Sequence, residues 1–264
     1  MAASAEKGSK MSTSLPAEPL RKLRLVADRS KRISSVRFPV EFVREQVTGE
    51  RPPLARLVRA GEVRLKLHLT LALMATRQPY ELREPPAAYW FASMLGLSNH
   101  ETSGARRVGD ALAWLEREHF IERTPRPGKT SKIKLLHHGS TSAAGGRYLQ
   151  APLDLWKQGW LLALPARAIG LYLVLKEATG GRADHDAMLS GTRKAQYYLS
   201  DETWARGAKD LEDAGLLHVE ETFARASSKD EYEPKRRRLR YTLLDSVIAS
   251  PPGTPADSSG GTGN

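Results

Sequence analysis

Cysteine is missing from the sequence altogether. That excludes disulfides, thiolate nucleophiles and every thiolate-built zinc site, and it points to a reducing compartment. Aromatic residues are sparse at 7%, and Trp90, Trp114, Trp156, Trp160 and Trp204 fall on apolar faces or at helix entries, where packing is expected. Of the exposed stacking platforms that hold single-stranded nucleic acid only Tyr232 and Tyr241 are offered. Long apolar runs are also lacking. The richest stretch, residues 63–74, is interrupted by Arg64, Lys66 and His68 and falls short of the roughly 18–20 residues of a membrane helix. The N-terminus is charged and Ser-rich, without the apolar centre of a signal peptide, so a cytoplasmic location is expected. Acid is the scarcer charge: 30 Asp and Glu face 41 Lys and Arg in 264 residues, leaving +11. Such an excess calls for an anionic partner or serves solubility.

Enzyme motifs are equally thin. Gly128-Lys129-Thr130 resembles the end of a phosphate-binding loop, but Arg123 stands where that loop needs its first Gly. His137-His138 has neither a nearby carboxylate nor metal-ligand spacing. His185, between Asp184 and Asp186, reads as part of a polar loop. No catalytic residue, metal site or cofactor is predicted.

Composition breaks divide the chain. Residues 1–35, with eight bases against three acids, read as a disordered basic arm, and residues 248–264 as a disordered tail. Residues 139–147, including the small polar run GSTSAAGG, read as a linker between domains at 36–138 and 148–247. The two domains align with each other at three anchors in the same order. Residues 39–45 (PVEFVRE) match 152–158 (PLDLWKQ), Leu97-Ser98 matches Leu199-Ser200, and Leu115-Glu116 with Phe120-Ile121 matches Leu211-Glu212 with Leu216-Leu217. The pattern indicates a duplicated unit of roughly 100 residues.

In each unit a central apolar helix is expected, at 63–75 and at 166–178. The first alternates like a strand, yet its Leu, Ala, Met and Lys content favours helix. A second helix follows at 86–95 and 188–197, then a short turn, then a third helix. Ser200 is its N-cap in the second unit, and Ser98 with Glu101 forms a capping box in the first. Trp204, Ala208 and Leu211, and likewise Val108, Leu112 and Leu115, commit one face of each third helix to the core. Strand candidates flank basic loops: 120–123 and 132–137 around 124–131, then 216–223 and 239–244 around 224–238. Helix, helix, turn, helix, hairpin is a winged helix. The expected fold is therefore mostly α with small β-hairpin wings (α+β), two winged helix-turn-helix domains in tandem.

Residues 192–217 (TRKAQYYLSDETWARGAKDLEDAGLL) resemble the helix-turn-helix signature of bacterial winged-helix proteins, including plasmid replication initiators and actinobacterial regulators. The string L-E-x-x-x-[LF]-[LI] closes the recognition helix in such proteins and stands here at 211–217 and 115–121. Six extra residues near 99–104 set the first unit apart.

A helix of this kind fits the major groove, and a basic wing reaches phosphates or the minor groove. The candidate DNA-binding residues are Arg106 and Arg107 on the first recognition helix, Thr203, Arg206 and Lys209 on the second, and Arg193 and Lys194 on the helix before it. From the wings come Arg126, Lys129 and Lys132, then Lys235, Arg236, Arg237 and Arg238. Arg21, Lys22, Arg24, Arg29, Lys31 and Arg32 of the arm would add non-specific attraction. The competing reading makes these solvated faces, with Arg106–Asp110 and Arg206–Asp210 as ordinary i, i+4 ion pairs. Sequence-specific binding of double-stranded DNA is expected, by an initiator-like protein or a transcription regulator associated with nucleoid or plasmid. An initiator would contact two successive grooves as a monomer, and a regulator would bind a palindrome as a homodimer. The alternative is a winged-helix protein–protein interaction module with only non-specific DNA affinity.

Overall fold

The structure, a computed structural model, describes residues 15–47, 49–136, 146–182, 186–224 and 236–253. The first half comprises α1 (Ala17–Arg29), β1 (Ser35–Pro39), α2 (Val40–Val43), α3 (Pro53–Ala60), α4 (Glu62–Met74), β2 (Glu81–Leu82), α5 (Ala88–Met94), α6 (Ser103–Arg117), β3 (Ile121–Arg126) and β4 (Lys129–Leu135). The second comprises β5 (Tyr148–Pro152), α7 (Asp154–Lys157), α8 (Trp160–Ala163), α9 (Ala166–Ala178), β6 (Ala187–Met188), α10 (Gly191–Ala195), α11 (Asp201–Asp213), β7 (Leu217–Ala224) and β8 (Arg236–Leu243), then one 3-10 turn over Val247–Ala249. The fold is mixed α and β with small antiparallel sheets.

From β1 and from β5 the elements recur in one order: strand, three helices, short strand, two helices, hairpin. The hairpin sheets share a strand order too, β2-β4-β3 and β6-β8-β7. β1 and β5 pair antiparallel with Arg37 opposite Gln150. On the alignment of Pro39 with Pro152 those two residues are also equivalent, so the pairing has a local two-fold character.

α4 and α9 are buried on nearly every side. The alternating leucines of α4, Leu65 to Leu73, are all fully buried, because successive residues of a helix turn through about 100° and a central helix needs apolar groups all round. Lys66 is buried with them and donates to the Leu162 carbonyl at 3.1 Å and to Glu62. One apolar cluster runs through both halves.

Three expectations are corrected here. Residues 17–29 of the supposed disordered arm form α1, which buries Leu23, Val26 and Ala27, and β1 begins at Ser35. Two of the four bases of α1 are engaged by the fold: Lys22 pairs with Glu18 at 2.8 Å and donates to Ser93, and Arg24 Nε donates to the Lys157 carbonyl at 2.7 Å, while Arg21 and Arg29 are exposed. Beyond the helix, the Arg32 guanidinium donates to the carbonyls of Ala72, Leu73 and Ala75, satisfying the end of α4. Second, the helix expected over 188–197 shrinks to α10, since Ala187 and Met188 pair with Tyr241 and Arg240 as the sheet's third strand. The sheet takes the backbone groups that a longer helix would have used. Third, residue 248 does not open a loose tail. Ile248 is buried, and Trp160 Nε1 donates to the carbonyls of Ile248 and Ser250 at 3.0 and 2.9 Å. Residues 1–14, most of the 139–147 linker and 254–264 lie outside the described residues.

Candidate nucleic-acid interface

α6 is amphipathic because Val108, Ala111 and Leu115 recur at helical spacing and are buried. It starts at Ser103, so the capping box expected from Ser98 and Glu101 does not form. Residues 98–102 instead make a turn in which the Asn99 carbonyl accepts from the amides of Thr102 and Gly104, each at 3.0 Å. The extra residues are thus a longer turn between α5 and α6. Arg106 and Arg107 stand exposed on the outer face, and among the described residues neither side chain makes an ion pair or hydrogen bond. The expected Arg106–Asp110 pair is not made. Arg107 borders a shallow cleft of about 280 Å³ with Gly61, Arg64 and Asp110.

α11 begins where the sequence indicates. Ser200 Oγ accepts from the Thr203 amide at 3.2 Å and donates to the Thr203 hydroxyl at 2.9 Å. Its cations, however, are occupied. Arg206 pairs with Glu202 at 2.7 Å, not with Asp210, and Lys209 pairs with Asp213 at 3.1 Å. Asp210 is held by Arg167 of α9 at 2.6 Å, and this partnership raises the Arg167 pKa. At the matching place in the first half, the Arg64 guanidinium lies 5.2 Å from the Trp114 ring centroid.

Arg193 and Lys194 are absorbed by the fold. Glu177, its side chain 6% exposed, faces Arg44 at 3.0 Å and Arg193 at 3.1 Å and accepts from the Tyr197 hydroxyl. Burial and this carboxylate push the Tyr197 pKa up. Lys194 donates to the Tyr241 hydroxyl at 3.0 Å and sits 4.8 Å from the Trp204 ring centroid. The two candidates brace α10 against its neighbours.

In the β3–β4 hairpin the expected loop 124–131 is mostly strand, closed by a two-residue turn in which Gly128 takes φ 66°. Its bases face acids of the same sheet region: Arg126 and Lys129 lie 3.7 and 3.6 Å from Glu84, and Lys132 lies 3.4 Å from Glu81. In the second half Arg236 to Arg238 belong to β8, not to a loop. Arg238 is exposed opposite Thr222. Lys235 and the side chains of Arg236 and Arg237 lie outside the described residues.

Sequence reasoning passed over a second basic group. Arg51, Arg59 and Arg167 line a cleft of about 350 Å³ with Tyr198, Ser200 and Thr203, where α3 meets the start of α11. Arg51 lies 5.9 Å from the Tyr198 ring centroid, and the Tyr198 hydroxyl donates to Glu45 at 2.8 Å. No linear motif joins residues 51 and 59 to 198–203, so only the packing of the halves brings them together. Among the described residues there is no cluster of His, Asp or Glu suited to a metal and no helix long and apolar enough to cross a membrane. No family model matches the chain, and no curated protein matches it.

Proposed function

We propose that the chain binds double-stranded DNA, each half being built as a winged helix-turn-helix with α6 and α11 as the third helices and β3–β4 and β7–β8 as the wings. The observation that carries this reading is the pair Arg106 and Arg107, exposed and unpaired among the described residues on a helix whose opposite face is core. Arginine forks match guanine edges and phosphates alike. The net charge of +11 supplies long-range attraction. No catalytic residue or cofactor enters this function. Replication initiation and transcriptional regulation are the two roles it would serve. Selection of bound fragments from the parent genome separates them: repeats clustered at an origin mark the first, and dispersed promoter sites the second.

The test is fluorescence anisotropy with a labelled duplex over a salt series. If about six phosphates are neutralised, affinity falls by about three orders of magnitude between roughly 50 and 200 mM salt. Affinity that is undetectable, or indifferent to salt, overturns the reading. A protein-docking module is the second reading, favoured by one observation: the first wing's bases face Glu81 and Glu84 at 3.4–3.7 Å.

A further inference from the structure

The two third helices occupy equivalent places in the element order but carry opposite charge. α6 holds three bases and two acids, whereas α11 holds two bases and five acids. Pairing sharpens the contrast. On α6, Glu116 is taken by Arg123 in a forked contact, with Nε at 2.8 Å, which among the described residues leaves Arg106 and Arg107 uncompensated except by Asp110 of their own face. On α11 both bases are spent on Glu202 and Asp213, and Asp201 and Glu212 remain exposed.

We infer that sequence discrimination resides in α6 through Arg106 and Arg107, and that α11 does not enter a groove. This rests on the DNA-binding reading above. The N-terminal part of a recognition helix meets the base edges, and there α6 offers two arginines while α11 offers Asp201 and Glu202. Turning Arg206 or Lys209 toward DNA breaks its ion pair and leaves a bare carboxylate within a few ångströms of phosphates, far inside the screening length of about 8 Å. An acid can accept a hydrogen bond from a cytosine amino group, but α11 would bring two acids before its first base. The consequence is a footprint with one cluster of preferred positions, not two clusters about 10 base pairs apart.

The experiment selects duplexes from a random pool with the full chain, then compares affinity for the selected and a scrambled duplex at one salt concentration. Arg106→Ala with Arg107→Ala lowers the selected-to-scrambled ratio by about tenfold or more, with the far-UV dichroism of the wild type retained. Arg206→Ala with Lys209→Ala leaves that ratio within about twofold, whatever it does to overall affinity. Arg106→Lys with Arg107→Lys keeps the charge, loses the fork, and should lose discrimination while retaining the salt slope. A collapsed ratio in the Arg206 and Lys209 variant, two spaced motifs in the selected pool, or no preferred sequence in a wild type that still binds would each overturn the inference while leaving duplex binding standing. Failure of the wild type to bind any duplex would remove the underlying reading, and the inference with it.

Discussion

At Glu177 three donors converge on one nearly buried carboxylate: Arg44 from the first half, then Arg193 and Tyr197 from the second. Glu177→Gln leaves two guanidinium groups facing each other without an anion. Breaking a buried pair in this way costs about 3–5 kcal/mol, to be read as a lower urea midpoint. An unchanged midpoint would show that the cluster is not held together by charge. Tyr197 and Tyr172 add a pH dependence. Burial raises both phenol pKa values, helped by Glu177 for Tyr197 and by Asp245 for Tyr172. Raised pKa values mean that the folded chain keeps protons which the unfolded chain releases near its tyrosine pKa of about 10. Their stabilisation is therefore complete below about pH 10 and is lost as pH climbs beyond it. Lys66 works with the opposite sign, since burial lowers its pKa, but its contribution changes only up to the unfolded lysine value of about 10.4, so it does not oppose the fall at higher pH. The urea midpoint should fall above about pH 10, and Tyr172→Phe with Tyr197→Phe should flatten that fall. An equal slope in the double variant would contradict the assignment.

Helix packing sets what each element tolerates. α11 crosses α9 so closely that a Cβ at Gly207 would lie 2.9 Å from the Arg167 carbonyl oxygen and 3.4 Å from the Leu171 Cβ. Alanine is about 1 kcal/mol better than glycine inside a helix, but overpacking against backbone costs about 1–3 kcal/mol. Gly207→Ala should be destabilising. Gly109 of α6 has no atom within 4 Å of the same ideal position, so Gly109→Ala should stabilise by up to about 1 kcal/mol. Opposite shifts of the thermal midpoint in the two variants check the comparison, and like shifts refute it. Much at this scale was legible in the sequence. α9 lies where its apolar run and leading proline place it, and Ser200 caps α11, because both depend on residues within one turn. The starts of α6 and α10 were not legible. The first is moved by a turn that Gly104 must pack against Ala92 and the Ser98 carbonyl, and the second by strand pairing with a partner more than fifty residues away.

For the molecule as a whole, the seam between the halves matters most. β1 pairs with β5, Lys66 reaches the Leu162 carbonyl, the Glu45 amide donates to the Gln196 carbonyl at 2.9 Å, and one apolar cluster spans both sides. Tryptophans lie in both halves, with Trp156 and Trp160 fully enclosed. Denaturant unfolding followed by tryptophan fluorescence and by far-UV dichroism should give one coincident transition. Two separated transitions would show that the halves fold alone. The apolar periodicity of the central helices, the recurrence of anchors between the halves and the excess of positive charge can be read from the residues alone, since each follows from local order or simple counting. Which of those charges are available depends on packing. Arg32, Arg193 and Lys194 are spoken for by carbonyls, a carboxylate and aromatic rings that the chain brings in from elsewhere, Arg206 and Lys209 by acids one turn away, while Arg106 and Arg107 are left to the solvent. Charge is a property of a residue, but neutralisation depends on distance, and distance exists only once the chain has folded.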